Sequence, residues 1–381
     1  MKVLILGSGN IGSVATEDLT KSISAVEAVV ADKNEASAKK VAQKIGRENV
    51  SWIRLDATNH NELAETLKNF DLVMGFLPGK FGYRLIEACI NAGKDLIDVS
   101  YMPENPLILH KKAVKANVQI IPDCGLAPGI SNVLVGHAMG ELDKVQTVHI
   151  MVGGLPEKPV PPLDYVITWS PENLIDEYMR KATIVKKGRR IEVEALSGLE
   201  EVCFPNFGRL EAFYTDGLRT LLHTVPEAYD MWEKTLRYPG HAEKVKLLKV
   251  LGFFEEEPIN ADGVSVMPRK LTVRLFERKL WKPEVKDVVA LKVDVSSVKN
   301  GSNTCYVYHL LDYYDERFGV TAMARTTAYP ASIIAQFMLK KAIKGKGVIP
   351  PEKLGMDSSL FKLFLDELEK RGIRITEEIT R

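Results

Sequence analysis

The chain has 381 residues, 51 Lys+Arg against 50 Asp+Glu and a formal net charge of +1, so it lacks the basic excess that marks a nucleic-acid binder. No apolar run reaches the length of a membrane span, and the length calls for two domains with separate cores. Cys89, Cys124, Cys203 and Cys305 are scattered without a Cys-x-x-Cys, and no His-x-x-x-His pair occurs, which predicts neither a disulfide framework nor a metal.

The first predicted element is an apolar strand, Val3 to Leu6, running into Gly7-Ser-Gly9-Asn-Ile-Gly12. Ile11, Val14, Ala15 and Leu19 then follow the spacing of a helix packed on a sheet. Three glycines alone are a weak signal, but strand, glycine turn and helix together predict a dinucleotide site. Gly7 permits the turn, Gly9 admits the pyrophosphate, and Gly12 lets the helix lie close to the strand. Asn10 and Ile11 open the helix, whose N-terminus faces phosphate charge. A second strand, Val26 to Ala31, ends in Asp32, about 20 residues past the last glycine, where a carboxylate accepts from ribose hydroxyls. That favours NAD over NADP, with Lys33 as a partial offset. The opening segment lacks the charged lead and cleavage pattern of a secretory signal, so a cytoplasmic protein is expected.

Further strands are expected at Val50 to Arg54, Leu72 to Gly75, Leu96 to Val99 and Val118 to Pro122. The repetition predicts an α/β fold with an N-terminal Rossmann doubly wound parallel sheet over residues 1–125. Ligands in such sheets meet the carboxyl ends of strands, which nominates Asp56, Ala57, Leu77, Pro78, Val99 and Gly125 for the cofactor and Ser100 for the substrate. After Leu142 the rhythm becomes β-rich, with strands at Ala182 to Val185, Ile191 to Ala195, Asp287 to Val298 and Thr304 to Asp315. Residues 126–330 are therefore expected to form a second, mixed α/β domain with a largely antiparallel sheet, for substrate binding and oligomerisation. Helices are expected over Ala331 to Lys344 and Ser359 to Arg371, with residues of about 331–375 packing back on the first domain.

The stretch Ile121-Pro-Asp-Cys-Gly-Leu-Ala-Pro-Gly129, with Gly153-Gly-Leu-Pro156, Pro161-Pro-Leu-Asp-Tyr165 and Leu236-Arg-Tyr-Pro-Gly-His241, resembles the saccharopine dehydrogenase-like family. Its Asp-x-Gly-x-Ala-Pro-Gly form is similar to the lysine 6-dehydrogenase branch rather than the saccharopine reductases. The resemblance implies NAD-linked oxidative deamination of the ε-amino group of L-lysine by a homodimer or higher homo-oligomer. The product, 2-aminoadipate 6-semialdehyde, closes to the cyclic piperideine carboxylate as ammonia leaves. It also implies that Ala322-Met-Ala-Arg-Thr-Thr-Ala-Tyr-Pro330 closes over the cofactor.

Hydride leaves the amine-bearing carbon only after the ammonium, of pKa about 10.4 in water, has lost a proton. Asp123, ending a strand and heading the motif, is the first candidate base, and His241 the second. A helix-capping role for Asp123 and a satisfied buried imidazole for His241 are the structural alternatives. The substrate carboxylate calls for a guanidinium, which nominates Arg219 and Arg237, while Asp216 is placed to pair with the α-ammonium. Saccharopine and carboxy-polyamines carry more carboxylates, and Arg219, Arg237 and Lys244 would have to converge to receive them. A dehydrogenase or reductase of that type is the competing enzyme. A non-catalytic NAD-binding sensor or scaffold is the alternative of another class.

Overall fold

The computed structural model describes residues 1–299 and 301–380. Two units are resolved: the first comprises Met1–Leu142, Arg219–Thr224 and Ala324–Arg374, and the second holds segments 143–218, 225–323 and the C-terminal strand.

The first unit is a doubly wound α/β fold. Its parallel strands β1 (Lys2–Leu6), β2 (Glu27–Asp32), β3 (Val50–Arg54), β4 (Leu72–Gly75), β5 (Asp95–Asp98), β6 (Gln119–Ile121) and β17 (Gly347–Val348) lie in the order β17-β6-β5-β4-β1-β2-β3. The winding order, not the strand direction, reverses between β1 and β4, the switch point beside which such sheets bind ligands. Val3 to Leu6 and Leu72 to Met74 are buried throughout, as in a sheet covered on both faces. The helix Asn10–Ser22 buries Val14, Ala15 and Leu19 as one stripe. It approaches β1 so closely that a Cβ at Gly12 would overlap the Gly7 carbonyl oxygen, while Gly7 itself turns with φ +106°. The helix Ile130–Glu141, which the sequence reading assigns to residues 126–330, belongs to this unit, with Asn132 hydrogen-bonded to Glu352 at 3.2 Å.

The second unit is built on a mixed, largely antiparallel sheet. Its strands are β7 (Lys144–Pro156), β8 (Ala182–Lys186), β9 (Arg189–Val193), β10 (Glu200–Phe204), β11 (Gly208–Tyr214), β12 (Asp230–Arg237), β15 (Asp287–Lys299), β16 (Ser302–Tyr313) and β18 (Ile375–Thr380). The main order is β10-β11-β12-β7-β15-β16-β18, with β8 on β12 and β9 on β8. Only β12 and β7 pair in parallel among the described strands of this sheet. A separate hairpin joins β13 (Ile259–Ala261) and β14 (Val264–Val266).

Two terminal elements differ from the sequence reading. The helix expected over Ala331 to Lys344 runs from Ala322 to Leu339, so the segment expected to close over the cofactor is its first half. Proline favours the first helical position, which places a start near Pro330. The actual start is fixed by Asp287, whose carboxylate accepts from the Ala322 and Met323 amides at 2.7 and 2.9 Å. β18, which the sequence reading does not anticipate, pairs with β16 at the sheet edge.

Candidate functional site

At the switch point, Gly9 precedes the helix Asn10–Ser22 without a side-chain cap, and the first turn holds no acidic residue. Space is open where a Cβ at Gly9 would lie. Glycine clearance and a helix N-terminus opened by a residue without a side chain fit a dinucleotide pyrophosphate. Asn10 and Ile11 open the helix. Asp32 ends β2 and accepts from the Ser8 amide at 3.0 Å, the Ser8 hydroxyl at 2.7 Å and the Asn34 amide at 2.9 Å. A carboxylate offers about four acceptor positions, so the acid pinned beside the glycine turn keeps capacity for a ribose hydroxyl.

Asp56 forms a turn with Thr58, and the Thr58 hydroxyl and amide hold its carboxyl below the ordinary range. Ala57 and Leu77 line a small cleft with Thr58, Phe81 and Arg84. Pro78 begins the helix Gly79–Asn91, and the Val99 amide donates to Gly75 O at 3.1 Å. Gly125 turns inward, its amide donating to Pro128 O at 3.1 Å.

The charged centre of the first unit lies at the carboxyl ends of β5 and β6. Asp123 Oδ1 accepts from Arg219 Nε at 3.3 Å and Nη2 at 3.2 Å. Both side chains are out of solvent, Arg219 at 4% and Asp123 at 0% exposure. Arg219 Nη1 also donates to the carbonyl of Met102 and, at 3.4 Å, to that of Glu104. Both residues have left-handed backbones, φ +57° for Asp123 and +53° for Arg219, a conformation that costs free energy and concentrates at functional sites. Burial pushes the Asp123 carboxyl up, against the pull of Arg219. Asp123 Oδ2 has no hydrogen-bond partner among the described residues.

Beside them Asp98 is fully buried and accepts through Oδ1 from the Ser100 amide at 2.9 Å and from the Ser100 hydroxyl. Asp98 escapes the sequence reading because a strand drawn to Val99 leaves it in the interior. The one available signal is a carboxylate at the end of the apolar run Leu96-Ile97. Glu352 also escapes it: fully buried, it accepts from Asn132 Nδ2, Thr220 Oγ1 and Thr224 Oγ1 at 3.2, 3.0 and 2.7 Å. Nothing local in Pro350-Pro351-Glu352 announces a three-donor anchor.

The remaining nominated residues lie in the second unit, each engaged within it. Arg237 pairs with Glu177 at 3.2 Å and lies 4.7 Å over the Tyr165 ring. Its Nε donates to Tyr178 Oη at 3.4 Å, and Tyr178 Oη donates to His241 Nε2 at 2.9 Å. His241 Nδ1 meets Leu163 O at 2.7 Å, which fixes the Nδ1–H tautomer. Burial first, then Arg237, pushes His241 down to about 3, so the imidazole stays neutral with both nitrogens occupied. The structure thus gives His241 the environment of a satisfied core histidine in place of that of a proton acceptor. Lys244 pairs with Asp164, and Asp216 with Arg180 at 3.6 Å. Among the described residues no cluster of His, Cys, Asp or Glu suits a metal, and no helix is long and apolar enough to cross a membrane.

Comparison with known proteins bears on the whole chain. The family model for the saccharopine dehydrogenase NADP binding domain matches residues 3–121, and that for the saccharopine dehydrogenase C-terminal domain matches residues 125–373. Saccharopine dehydrogenase (NADP(+), L-glutamate-forming) of Saccharomyces cerevisiae is 24% identical over 99% of this chain and 98% of its own. Carboxyaminopropylagmatine dehydrogenase of Synechocystis is 22% identical over 95% of each. Alpha-aminoadipic semialdehyde synthase of Arabidopsis thaliana is 24% identical over 93% of this chain, which spans 41% of that longer protein. The solved structure of apo saccharopine dehydrogenase (L-Glu forming) from Saccharomyces cerevisiae superposes with a TM-score of 0.80 at 23% identity, covering 100% of both chains.

Proposed function

The chain belongs to the saccharopine dehydrogenase family, and from that premise we propose that it is an NAD-dependent oxidoreductase removing the ε-amino group of L-lysine. The products are 2-aminoadipate 6-semialdehyde, closing to piperideine-6-carboxylate, and ammonia. The observation that supports lysine is the use made of the cations. A saccharopine-type substrate brings additional carboxylates and calls for additional free guanidinium or ammonium groups. Arg219 is bound to Asp123, Arg237 to Glu177 and Lys244 to Asp164. Each candidate is already paired with one of the chain's own carboxylates, so the three do not offer the surplus of positive charge that additional substrate carboxylates call for.

Bound NAD would take the hydride from the carbon bearing the ε-amine. In this reading Asp123, through its unpartnered Oδ2, removes the ammonium proton that blocks this transfer. Arg219 holds Asp123 in place and keeps it from turning away. Water then adds to the iminium carbon and ammonia leaves. A homodimer or higher homo-oligomer acting in the cytoplasm completes the reading, and light scattering tests the assembly.

A saccharopine or carboxy-polyamine dehydrogenase is the second reading, favoured by what the yeast and Synechocystis relatives are named for. The purified protein incubated with L-lysine and NAD at mildly alkaline pH, with saccharopine in parallel, separates the two. Matched NADH and ammonia from lysine supports the first. Turnover of saccharopine alone supports the second, and silence in both leaves another amine, such as a carboxy-polyamine, or the non-catalytic sensor as the better reading.

The NAD preference rests on Asp32. Changing Asp32 to Ala should weaken NAD binding about tenfold, in line with the loss of a charge-assisted hydrogen bond. It should also narrow the ratio of NAD to NADP affinity by removing the charge that repels a 2′-phosphate. Calorimetric titration with both dinucleotides checks this, and an unaltered ratio would assign Asp32 only to holding Ser8.

A further inference from the structure

Asp98 is a second buried acid that neither the glycine turn nor the Asp123–Arg219 pair explains. Its Oδ1 takes both Ser100 donors, while Oδ2 has no hydrogen-bond partner among the described residues. An ionised carboxylate with an orphan oxygen in a dry interior is strongly disfavoured, and each such group calls for an explanation. Two glycines shape its surroundings. A Cβ at Gly75 would overlap Asp98 Oδ2, and a Cβ at Gly82 would overlap Ser100 Oγ. The backbone therefore keeps clearance for these two oxygens, at the sheet edge where ligand-facing groups gather.

The groups facing Asp98 are few. Asp123 repels its charge from the loop after β6, and Arg219 opposes that repulsion. The Cys89 thiol, from the helix Gly79–Asn91, and the Cys124 thiol are pushed up by burial and stay neutral. Two carboxylates thus share one guanidinium, and Arg219 directs Nε and Nη2 to Asp123.

We propose that Asp98, acting through Ser100, is the reversible proton store of the amine site. This rests on the amine-oxidation reading. Asp123 takes the ammonium proton, and Asp98 serves the step after hydride transfer: as water adds to the iminium carbon, one water O–H bond breaks and its proton joins Ser100 Oγ, while the Ser100 O–H proton passes to Asp98. When ammonia departs, the same path runs backward and returns the proton to nitrogen. A store of this kind must titrate near working pH. Burial, opposed by the Ser100 donors, pushes Asp98 up to about 7.

Infrared difference spectroscopy of the substrate-free protein between pH 5 and 9 tests the store independently of any turnover. The expected result is a buried carboxylic C=O band that titrates near 7, absent from D98N. In S100A the midpoint should move upward, since the lost hydroxyl favours the ionised form, and this arm stands if D98N fails to fold. No titrating buried-acid band, or one unchanged in both variants, would overturn the proposal. With the accepted amine, wild-type kcat/KM should fall on the acid side of that midpoint. D98N should lose the limb together with about 10²-fold of rate. A limb preserved in D98N would disconnect Asp98 from the amine and also overturn the proposal.

Discussion

Replacing Asp123 by Asn is expected to lower kcat by about 10²–10⁴-fold, the usual contribution of a positioned proton acceptor, while the dinucleotide still binds. The separation of effects follows from the fold. The glycine turn and Asp32 belong to the ends of β1 and β2, whereas Asp123 follows β6 at the other side of the switch point. The asparagine side-chain oxygen can accept from Arg219 Nε and Nη2 as Asp123 Oδ1 does, so the loop keeps its geometry. What it cannot do is take a proton at neutral pH. Alanine is the less informative change, because removing one member of a buried ion pair costs about 3–5 kcal/mol in stability and confounds the rate. NADH formation with the accepted amine, alongside NAD titration and a melting curve, would decide. Turnover near the wild-type rate would dismiss Asp123 as the base and leave it a structural partner of Arg219.

The glycine turn, Asp32 and the strands of the first sheet were legible because their causes are local. Val3 to Leu6 must be apolar to be covered on both faces, and Gly12 has no room for a side chain. The second sheet was legible only as a change of rhythm, since β16 alternates clearly and β15 does so from Leu291, but β18 exposes most of its residues and carries little pattern. What failed to show was what depends on residues distant in sequence. The cap on the helix Ala322–Leu339 comes from Asp287, 35 positions before Ala322. Arg219 reaches Asp123 across 96 positions. Arg237 and His241 have the composition of a site, and only their neighbours Glu177, Tyr178 and Leu163 reveal that their hydrogen bonds are taken. Asp98 was hidden by a single residue of strand boundary, the least reliable feature of any sequence reading.

Glu352→Ala is expected to destabilise the protein by about 3–5 kcal/mol, because three donors would lose one buried acceptor at about 1–3 kcal/mol each and neighbouring groups recover part of it. The loss should also reach the chemistry. Thr220 and Thr224 bracket the short segment Arg219–Thr224, and both hydroxyls end on the Glu352 carboxylate. Releasing them frees the backbone that holds Arg219 in its left-handed conformation against Asp123. Glu352→Gln discriminates anchoring from charge. Its oxygen still accepts, and its amide can donate to Thr224 Oγ1, which already has Thr220 O as a second acceptor at 3.2 Å. Burial pushes the Glu352 carboxyl up, against the pull of its three donors. Denaturant midpoints should therefore fall steeply for Ala and little for Gln. Under native conditions the Ala variant should lose kcat/KM more than NAD affinity, since the glycine turn has no share in this anchor. Equal stability of Ala and wild type would show that the hydroxyls find other acceptors. A stability loss without any kinetic change would confine Glu352 to folding and free Arg219 from dependence on it.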